Sequence, residues 1–318
     1  TPIAVALAVF GKRRLIGTYR AGRVRVWSAD YLPHWLVQQS AKAIPWWILE
    51  GTEFHAMALR ALGARIGKRV HIHRGVMLTR GGWDLLDIGD DVTLSQDSAV
   101  RIAELDDGHL VFSPVVLGKG VTLGVHSGVG GYCVLEEGAM LAENASLEDG
   151  TRVAAGERWD GIPAHPAGRA SPPPGVDHSR DLSTVGYALR FYLTRLVLAL
   201  VFALPFGALT WFAMRMASID SSTLLGWLFS GSQRGWLALV ATLLLACAIP
   251  LRLALSALAC RAMGRVKDGS FSRWSGAYVR VWLKPLLMDN ASRWLYGTLF
   301  WPYWLRLSGM RVGRNCEI

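Results

Sequence analysis

Aliphatic side chains recur at every sixth position through the middle of the chain. The run consists of Leu117, Leu123, Val129, Leu135, Leu141, Leu147 and Val153. The residue four positions after each of these is small in nearly every case, as Ser127, Cys133 and Ala139 illustrate. If roughly a quarter of residues are aliphatic, chance produces such a run less than about one time in a thousand. Neither a helix nor an alternating strand has this period, which predicts a parallel β-helix built from hexapeptides.

The period of six also predicts where each side chain points. Each hexapeptide forms one flat face of a prism, with its aliphatic side chain inward and a small residue, such as Cys133, in the tight corner. The same spacing occurs earlier, at Ile66, Ile72, Leu78, Ile88, Leu94 and Val100. Three hexapeptides make one coil, so these thirteen positions predict about four coils. We therefore expect an all-β domain over residues 63–166.

Two stretches interrupt the period. Residues 79–87 (TRGGWDLLD) add four residues to it, and residues 101–116 leave the coil as a longer loop. Such excursions from a repeat usually lie on one face of the molecule and often carry function. Their charged side chains are therefore candidates for binding or chemistry.

Two later stretches are apolar over a length suited to a membrane. Residues 196–214 and 235–251 contain no charged side chain, and each approaches the roughly 20 residues that cross a bilayer. The chain is 52% hydrophobic and only 18% charged. The basic residues flank the pair on its outer sides: Arg190, Arg195, Arg252, Arg261, Arg265 and Lys267. This predicts a transmembrane helical hairpin with both ends on the cytoplasmic side. Two buried helices of a soluble protein are the alternative.

The remaining charge and the aromatic residues lie next to these spans. The formal net charge is +10 and the chain has 14 Trp. Residues 20–47 and 270–304 are rich in Trp and Arg, which is typical of helices that lie in the headgroup layer. Packing against the side of the β-helix is the alternative for both segments. Because the basic residues sit beside the spans, membrane lipid is the predicted partner and nucleic acid is not.

The chain repeats itself at a long period. GTEF at residues 51–54 returns as GTLF at 297–300, and GARIGK at 63–68 returns as GMRVGR at 309–314, both 246 residues later. VRVW at 24–27 also returns, at 279–282. Several matches in one order indicate a tandem duplication, and we expect the chain to be a fragment cut at both ends.

The repeat and the apolar pattern predict seven segments. They are the end of a truncated transmembrane hairpin (1–14), a juxtamembrane segment (15–62), the β-helix domain (63–166), a linker (167–187), a transmembrane hairpin (188–262), a second juxtamembrane segment (263–308) and the start of a second β-helix (309–318).

The motifs resemble two known groups of proteins. The hexapeptides, with Gly161-Ile162-Pro163-Ala164 after the last coil, resemble the left-handed β-helix of hexapeptide-repeat acyltransferases. LEGTEF, TRGGWDLLDIGDDVTLSQDSAVR and ERWDGIPA, together with the flanking hairpins, resemble the C-terminal membrane region of ε-poly-L-lysine synthetase-like proteins. Those are single-module, membrane-bound nonribosomal peptide synthetases. The second resemblance covers nearly the whole chain and is strongest over residues 51–164.

The resemblance implies an acyltransferase that forms amide bonds in a multi-pass protein of the cytoplasmic membrane. The donor would be an aminoacyl thioester on the phosphopantetheine of a carrier, and no cofactor would reside in this segment. Upstream adenylation and carrier domains and sister β-helix domains would be its partners, with the active cleft between successive β-helices and the β-helices on the cytoplasmic side. Two alternatives stay open: a membrane-tethered acetyltransferase that uses acyl-CoA, and an inactive β-helix scaffold.

Amide formation from a thioester needs a base for the amine, a site that holds the thioester, and oxyanion stabilisation. His126 lies at an outward position of a coil and is the candidate base, with a solvated surface histidine as the alternative. Arg80 is a candidate to bind a carrier phosphate. The loop acids are candidates to bind a cationic amino acid or to orient a histidine: Asp84, Glu104, Asp106 and Asp107. Asp84 lies in the family-like TRGGWDLL and is predicted to take part in catalysis.

The sequence indicates no metal site. His71 and His73 flank Ile72, so both are predicted to point outward at the surface, and no third ligand is spaced with them. The four cysteines are scattered without a CxxC pair, which indicates neither a metal site nor a disulfide framework.

Overall fold

The computed structural model describes residues 1–171, 181–216, 235–266, 272–314 and 316. The chain divides into two compact units. Unit 1 comprises Thr1–Val176 and Ser183–Ala188, and unit 2 comprises Asp177–Leu182 and Leu189–Ile318. Parts of the predicted linker (172–180), the connection between the two apolar stretches (217–234) and Lys267 lie outside the described residues.

Helices occur at both ends of the chain and short strands lie between them. The helices are α1 (Pro2–Leu15), α2 (Tyr31–Lys42), α3 (Trp46–Leu49), α4 (Glu53–Ala61), α5 (Thr184–Met216), α6 (Gly235–Ala262), α7 (Gly276–Leu295) and α8 (Phe300–Leu307). The strands are β1 (Gly22–Arg25), β2 (Arg65–Ile66), β3 (His71–Ile72), β4 (Leu86–Ile88), β5 (Thr93–Leu94), β6 (Ala99–Val100), β7 (Ala103–Asp106), β8 (His109–Phe112), β9 (Val115–Leu117), β10 (Thr122–Leu123), β11 (Gly128–Val129), β12 (Val134–Leu135), β13 (Met140–Leu141), β14 (Ser146–Leu147), β15 (Arg152–Val153), β16 (Glu157–Gly161) and β17 (Ala164–Arg169).

The short strands of unit 1 build a parallel β-helix. They form three sheets with the strand orders β2-β4-β9-β12-β15, β3-β5-β10-β13-β16 and β6-β11-β14, extended by β17, which pairs antiparallel with β16. Within these sheets successive coils pair in parallel, so that Leu123 lies between Leu94 and Leu141. These three side chains are fully buried, because the inward position of each coil stacks on its equivalent one coil away. The parallel β-helix is therefore confirmed, and its left-handed sense stays a prediction.

The corners of the coils follow the second part of the pattern. Cys133, Ala139 and Ala145 are buried at corner positions, and the buried Ser127 donates a hydrogen bond from Oγ to the Gly124 carbonyl at 2.8 Å. A small side chain is needed there because the chain turns sharply within one or two residues. Cys133 is thus a core residue, as the sequence predicts.

The longer excursion from the coil is a sheet of its own. Strands β7 and β8 form an antiparallel hairpin, and β1 pairs antiparallel with β8, with Val24 opposite Leu110. Part of segment 20–47 is therefore a strand, which differs from the interfacial helices predicted for it. The edge of β8 offers unpaired backbone groups, and β1 satisfies them.

The helices of unit 1 cover one end of the β-helix. Helix α1 packs against α2 and α4, and α4 contacts β2 and β3. This contact explains one wrong prediction: His71 on β3 is only 5% exposed, because α4 covers a coil that the sequence pattern treats as solvent-facing.

The 246-residue repeat is visible in hydrogen bonds of the structure as well as in the sequence. In unit 1, Arg60 donates from Nε and Nη2 to the carbonyl oxygens of Ile66 and Gly67. In unit 2, Arg306 makes the same two bonds to Val312 and Gly313. The VRVW match has no such counterpart, because residues 24–25 lie in β1 and 279–282 lie in α7. That match is therefore a local coincidence of sequence.

Unit 2 contains the two apolar helices. The segments Thr184–Phe212 of α5 and Thr242–Ala262 of α6 are long and apolar enough to cross a membrane, as judged from length and composition alone. Helices α7 and α8 pack against the last turns of α6, where Ala257, Cys260 and Trp301 are buried together. Trp304 of α8 donates from Nε1 to the Leu253 carbonyl of α6 at 2.9 Å.

Candidate functional site

The six predicted site residues lie in different places on unit 1. Arg80 and Glu104 line one cleft, which the sequence could only suggest because they are 24 residues apart. The other four do not line that cleft. They are Asp84 within the first excursion, His126 at a coil corner, and Asp106 and Asp107 near the tip of the β7–β8 hairpin.

The cleft lies between α2 and the β7–β8 hairpin and has a volume of about 630 Å³. Glu104 and Leu105 come from the hairpin, Lys42 and Trp35 from α2, and Arg80 from the first excursion. Glu104 also pairs with Arg101 at 3.5 Å. One wall thus carries a carboxylate and the other walls carry cations, beside an aromatic surface. Such a lining suits a zwitterionic or cationic ligand with an apolar stem.

A histidine and a tyrosine meet at the inner side of this cleft. His34, which lines the cleft, is 8% exposed and its Nδ1 lies 3.0 Å from Oη of the buried Tyr19. Burial lowers the pKa of His34 to about 4, so the ring is neutral at pH 7. Burial and the nearby charge of Asp84 raise the pKa of Tyr19. With the tyrosine hydroxyl as donor to Nδ1, the neutral ring keeps its proton on Nε2 and can donate a hydrogen bond.

Gly81 lies against two residues that line the cleft, His34 and Gln38. Its φ is +91°, and a Cβ at this position would lie 2.6 Å from Nε2 of Gln38 and 2.8 Å from Cε1 of His34. Gln38 Nε2 is buried and has no hydrogen-bond partner within the described chain. Glycine is required here because the backbone passes directly over both side chains, and a ligand atom could accept the free Gln38 donor.

Asp84 is held by an ion pair. Its carboxylate lies 2.7 Å from Nζ of Lys12 and accepts a hydrogen bond from the Tyr19 backbone N–H at 2.9 Å. The two charged side chains are 15% and 6% exposed. The structure therefore assigns Asp84 a positioning contact, which fixes the excursion that carries Arg80 and Gly81 onto α1. Its predicted part in catalysis stays a prediction.

His126 occupies a turn between two coil faces. Its φ is +57° and its backbone N–H donates to the Gln96 carbonyl at 3.1 Å. The side chain is exposed, in agreement with its predicted outward direction. It is available to a partner, and its predicted role as base stays a prediction.

The two acids near the hairpin tip have local contacts. Asp106 pairs with Arg23 of β1 at 2.9 Å, with both side chains more than half exposed. Asp107 has φ +42°, and its carbonyl lies 2.8 Å from Nδ1 of His109. These contacts stabilise the three-stranded sheet, and their predicted substrate contacts are untested.

No group of three or more His, Cys, Asp or Glu side chains suited to a metal occurs in the part of the chain that the structure describes. The rings of His71 and His73 contact each other at 5.9 Å between centroids, and burial lowers the pKa of His73 to about 4.

The α2 residues that line the cleft, and Tyr19, which contacts His34, were not predicted as site residues. Tyr19, His34 and Gln38 precede the hexapeptides and lie in the segment treated as juxtamembrane. A weak signal was available, because His34, Val37 and Ala41 form the buried stripe of α2 and a histidine in such a stripe needs a polar neighbour. The neighbour, Tyr19, lies outside the helix and no local pattern points to it.

Comparison with known proteins gives one extended relationship in sequence. The chain is 28% identical over 341 aligned residues to Delta-poly-L-ornithine synthetase of Acinetobacter baumannii (strain AB307-0294). The alignment covers 98% of this chain and 24% of that protein, so the chain spans about a quarter of the relative. No protein-family model matches the chain.

Solved structures with similarity to this chain are hexapeptide-repeat transferases. The maltose O-acetyltransferase of Clostridium difficile 630 is 13% identical with a TM-score of 0.35, over 51% of this chain and 98% of that one. The acetyltransferase VCA0836 of Vibrio cholerae, complexed with acetyl coenzyme A, is 16% identical with a TM-score of 0.32, over 54% and 89%. The sequence relationship covers far more of this chain, and it confirms the resemblance of the chain to the poly-amino-acid synthetases.

Proposed function

We propose that this chain is an amide-forming acyl-transfer region of a membrane-bound, nonribosomal poly-amino-acid synthetase. The relationship over 98% of the chain to a poly-ornithine synthetase supports the class. The observation that carries the proposal is the cleft on the β-helix unit, which is lined by Glu104, Arg80, Lys42 and Trp35. A basic amino acid has a matching arrangement, with cationic ammonium groups, a carboxylate and an aliphatic stem.

The reaction joins an amine to an aminoacyl thioester. The amine nitrogen attacks the thioester carbonyl, a C–N bond forms, the C–S bond breaks, and the carrier thiol leaves with the proton that the amine gives up. In this proposal Glu104 holds an ammonium group of the acceptor, and Arg80 with Lys42 holds its carboxylate or the carrier phosphate. His34 donates from Nε2. His126 does not line this cleft, and in this proposal it accepts the amine proton where a neighbouring left-handed β-helix brings the acceptor amine to it.

The same proposal includes the membrane and the upstream domains. Helices α5 and α6 cross the cytoplasmic membrane as part of a multi-pass protein, with the β-helix on the cytoplasmic side. Arg190 and Arg195 before the apolar part of α5, and Arg261 at the end of α6, support this orientation. The phosphopantetheine arm of an upstream carrier supplies the thioester when bound, and an adenylation domain loads it.

The test uses the full-length protein in membranes. His126→Ala and Glu104→Gln should each lower polymer formation from free amino acid and ATP at least about tenfold, while amino-acid loading of the carrier is unchanged. His165→Ala, at an exposed position of β17, is the matched control and should retain wild-type polymer yield. Unchanged polymer yield and length in both test variants would refute the assignment of catalysis to this β-helix.

The same membrane preparations distinguish two alternative functions from the proposed one. An acyl-CoA acetyltransferase would transfer radiolabelled acetyl groups from acetyl-CoA to an amine without ATP. An inactive scaffold would retain polymer yield in both variants. It would lose yield only when the whole β-helix is removed.

A further inference from the structure

Unit 2 contains an open, amphipathic cavity beside the C-terminal half of α6. Its volume is about 270 Å³ and it lies among α5, α6 and α7. Phe202, Ile249 and Leu253 form an apolar wall, whereas Arg252 and the α7 side chains Asn290 and Arg293 supply polar groups. The two arginines are exposed to the surroundings of the protein. The cavity therefore combines an apolar wall with two positively charged side chains.

Arg252 lies inside the apolar segment Thr242–Ala262 and ten residues before its end. At about 1.5 Å per residue, this places its Cα about 15 Å along the helix axis from Ala262. The uncharged stretch 235–251 ends directly before Arg252, so this charge lies at the boundary of the apolar stretch, where an anionic group would stabilise it. Among the described residues that line the cavity there is no Asp or Glu. The lining of the cavity therefore offers an anionic ligand two arginines and no carboxylate of its own.

Helix α8 indicates where the membrane surface lies on this unit. One of its faces is buried against α6 through Trp301 and Trp304, and the other exposes Phe300 and Tyr303 to 70% and 66%. Leu299, directly before the helix, is 86% exposed. A helix with a packed aromatic side and an exposed apolar side is typical of the headgroup layer. The indole of Trp304 is fixed to α6 at Leu253, one residue beyond Arg252. The cavity thus opens at the level where lipid phosphates meet acyl chains.

We propose that this cavity binds the headgroup phosphate of an anionic glycerophospholipid. Arg252 and Arg293 hold the phosphate oxygens, since guanidinium groups match phosphate in charge and geometry. Asn290 binds a glycerol or headgroup hydroxyl, and one acyl chain lies on Phe202 and Ile249. The lipid neutralises the arginine within the span and joins α5, α6 and α7. This proposal rests on α5 and α6 crossing the membrane and is independent of the acyl-transfer chemistry.

The experiment measures lipid binding by the purified full chain. In detergent micelles, the thermal midpoint is followed while phosphatidylglycerol or phosphatidylcholine is added. Phosphatidylglycerol should raise the midpoint and phosphatidylcholine should not. Arg252→Gln with Arg293→Gln should weaken the response to phosphatidylglycerol at least about tenfold, because both phosphate contacts are lost. Arg280→Gln, an exposed arginine earlier on α7 outside this cavity, should respond as the wild type does.

A second measurement locates the lipid without depending on stability. Trp294 lines the cavity and is 61% exposed, so brominated phosphatidylglycerol should quench its fluorescence. The quenching that disappears in Trp294→Phe reports the site. Equal effects of both lipids, a wild-type response in the double arginine variant, or displacement of the lipid by millimolar inorganic phosphate would each overturn the proposal.

Discussion

The buried ion pair between Lys12 and Asp84 yields the sharpest prediction. Removing one partner of a buried pair leaves an uncompensated charge, which typically costs about 3–5 kcal/mol. Because Asp84 retains 15% of its side-chain exposure, we expect the lower figure. Asp84→Asn and Lys12→Met should each lower the free energy of unfolding by about 3 kcal/mol. The asparagine still offers an oxygen to the Tyr19 N–H, so the change reports the charge.

The two substitutions form a double-mutant cycle. The double variant has no unpaired charge, so its loss should be about that of one single variant, with a coupling energy of about 2–3 kcal/mol. The assay is thermal unfolding of the full chain in detergent, followed by tryptophan fluorescence. A loss of about 3 kcal/mol corresponds to about 6–12 °C for a domain of this size. Additive losses would refute the ion pair as the stabilising contact.

The same variants separate a structural role of Asp84 from the catalytic role predicted for it. If Asp84 acts through Lys12, both single variants lower polymer formation in parallel with their stability. If Asp84 takes part in chemistry, Asp84→Asn abolishes polymer formation in membranes where Lys12→Met retains it. Assays at a temperature well below every midpoint keep unfolding from obscuring the comparison.

Three further predictions concern unit 1. Gly81→Ala should lower the free energy of unfolding by about 2–3 kcal/mol through strain and contact with His34. The control Gly108→Ala, with φ +70° and open space around it, should lower it by about 1 kcal/mol. Equal thermal midpoints of the two variants would contradict this prediction. His55→Phe should raise stability by about 1–2 kcal/mol, because both buried ring nitrogens of His55 lack a hydrogen-bond partner within the described chain, and a lower midpoint would show that the nitrogens are needed. Stability should fall as the pH is lowered from about 6.5 to about 4, since burial lowers the pKa of His34, His55 and His73 to about 4 and the unfolded chain binds more protons in that window. The fully buried His55 contributes about 3 kcal/mol of this loss, so His55→Phe should reduce the pH dependence measured by thermal midpoints.

The internal repeat supports the prediction for His55. At the equivalent position 246 residues later stands Trp301, which is 6% exposed and stacks on Trp304. Both positions therefore hold a buried aromatic ring, and the polar atoms of His55 are not required by the fold. In unit 1 the ring lies against Trp46 at 5.4 Å between centroids.

The coil was predictable because its information is local. The alternation of an aliphatic residue with a small residue four positions later specifies one face and one corner, and each coil then pairs with the next. Leu117, Leu135 and Val153 illustrate this, since they are spaced by eighteen residues and stack in one sheet. The presence of two long apolar helices was predictable for the same reason, because length and charge suffice. Their apolar segments are Thr184–Phe212 and Thr242–Ala262, which are offset from the predicted 196–214 and 235–251.

The cleft was only half predictable. The period of six marked both excursions, which carry Arg80 and Glu104. It does not indicate which residues of other elements these side chains contact. The outward prediction for His71 was wrong because α4 lies over its coil. For segment 20–47 the sequence left two alternatives open, the headgroup layer and packing against the β-helix, and it did not indicate that β1 pairs with β8.

Tertiary structure alone decided the assembly of the site. Strand β1 pairs with β8 across more than 80 residues, and Lys12 meets Asp84 across 72. These contacts bring His34 and Gln38 against Gly81 and set Lys42 near Glu104. Hydrophobic spacing specifies which face of an element is buried, whereas the partner of that face depends on the burial and hydrogen bonding of the whole chain. The repeat therefore determined the scaffold, and long-range pairing determined the cleft.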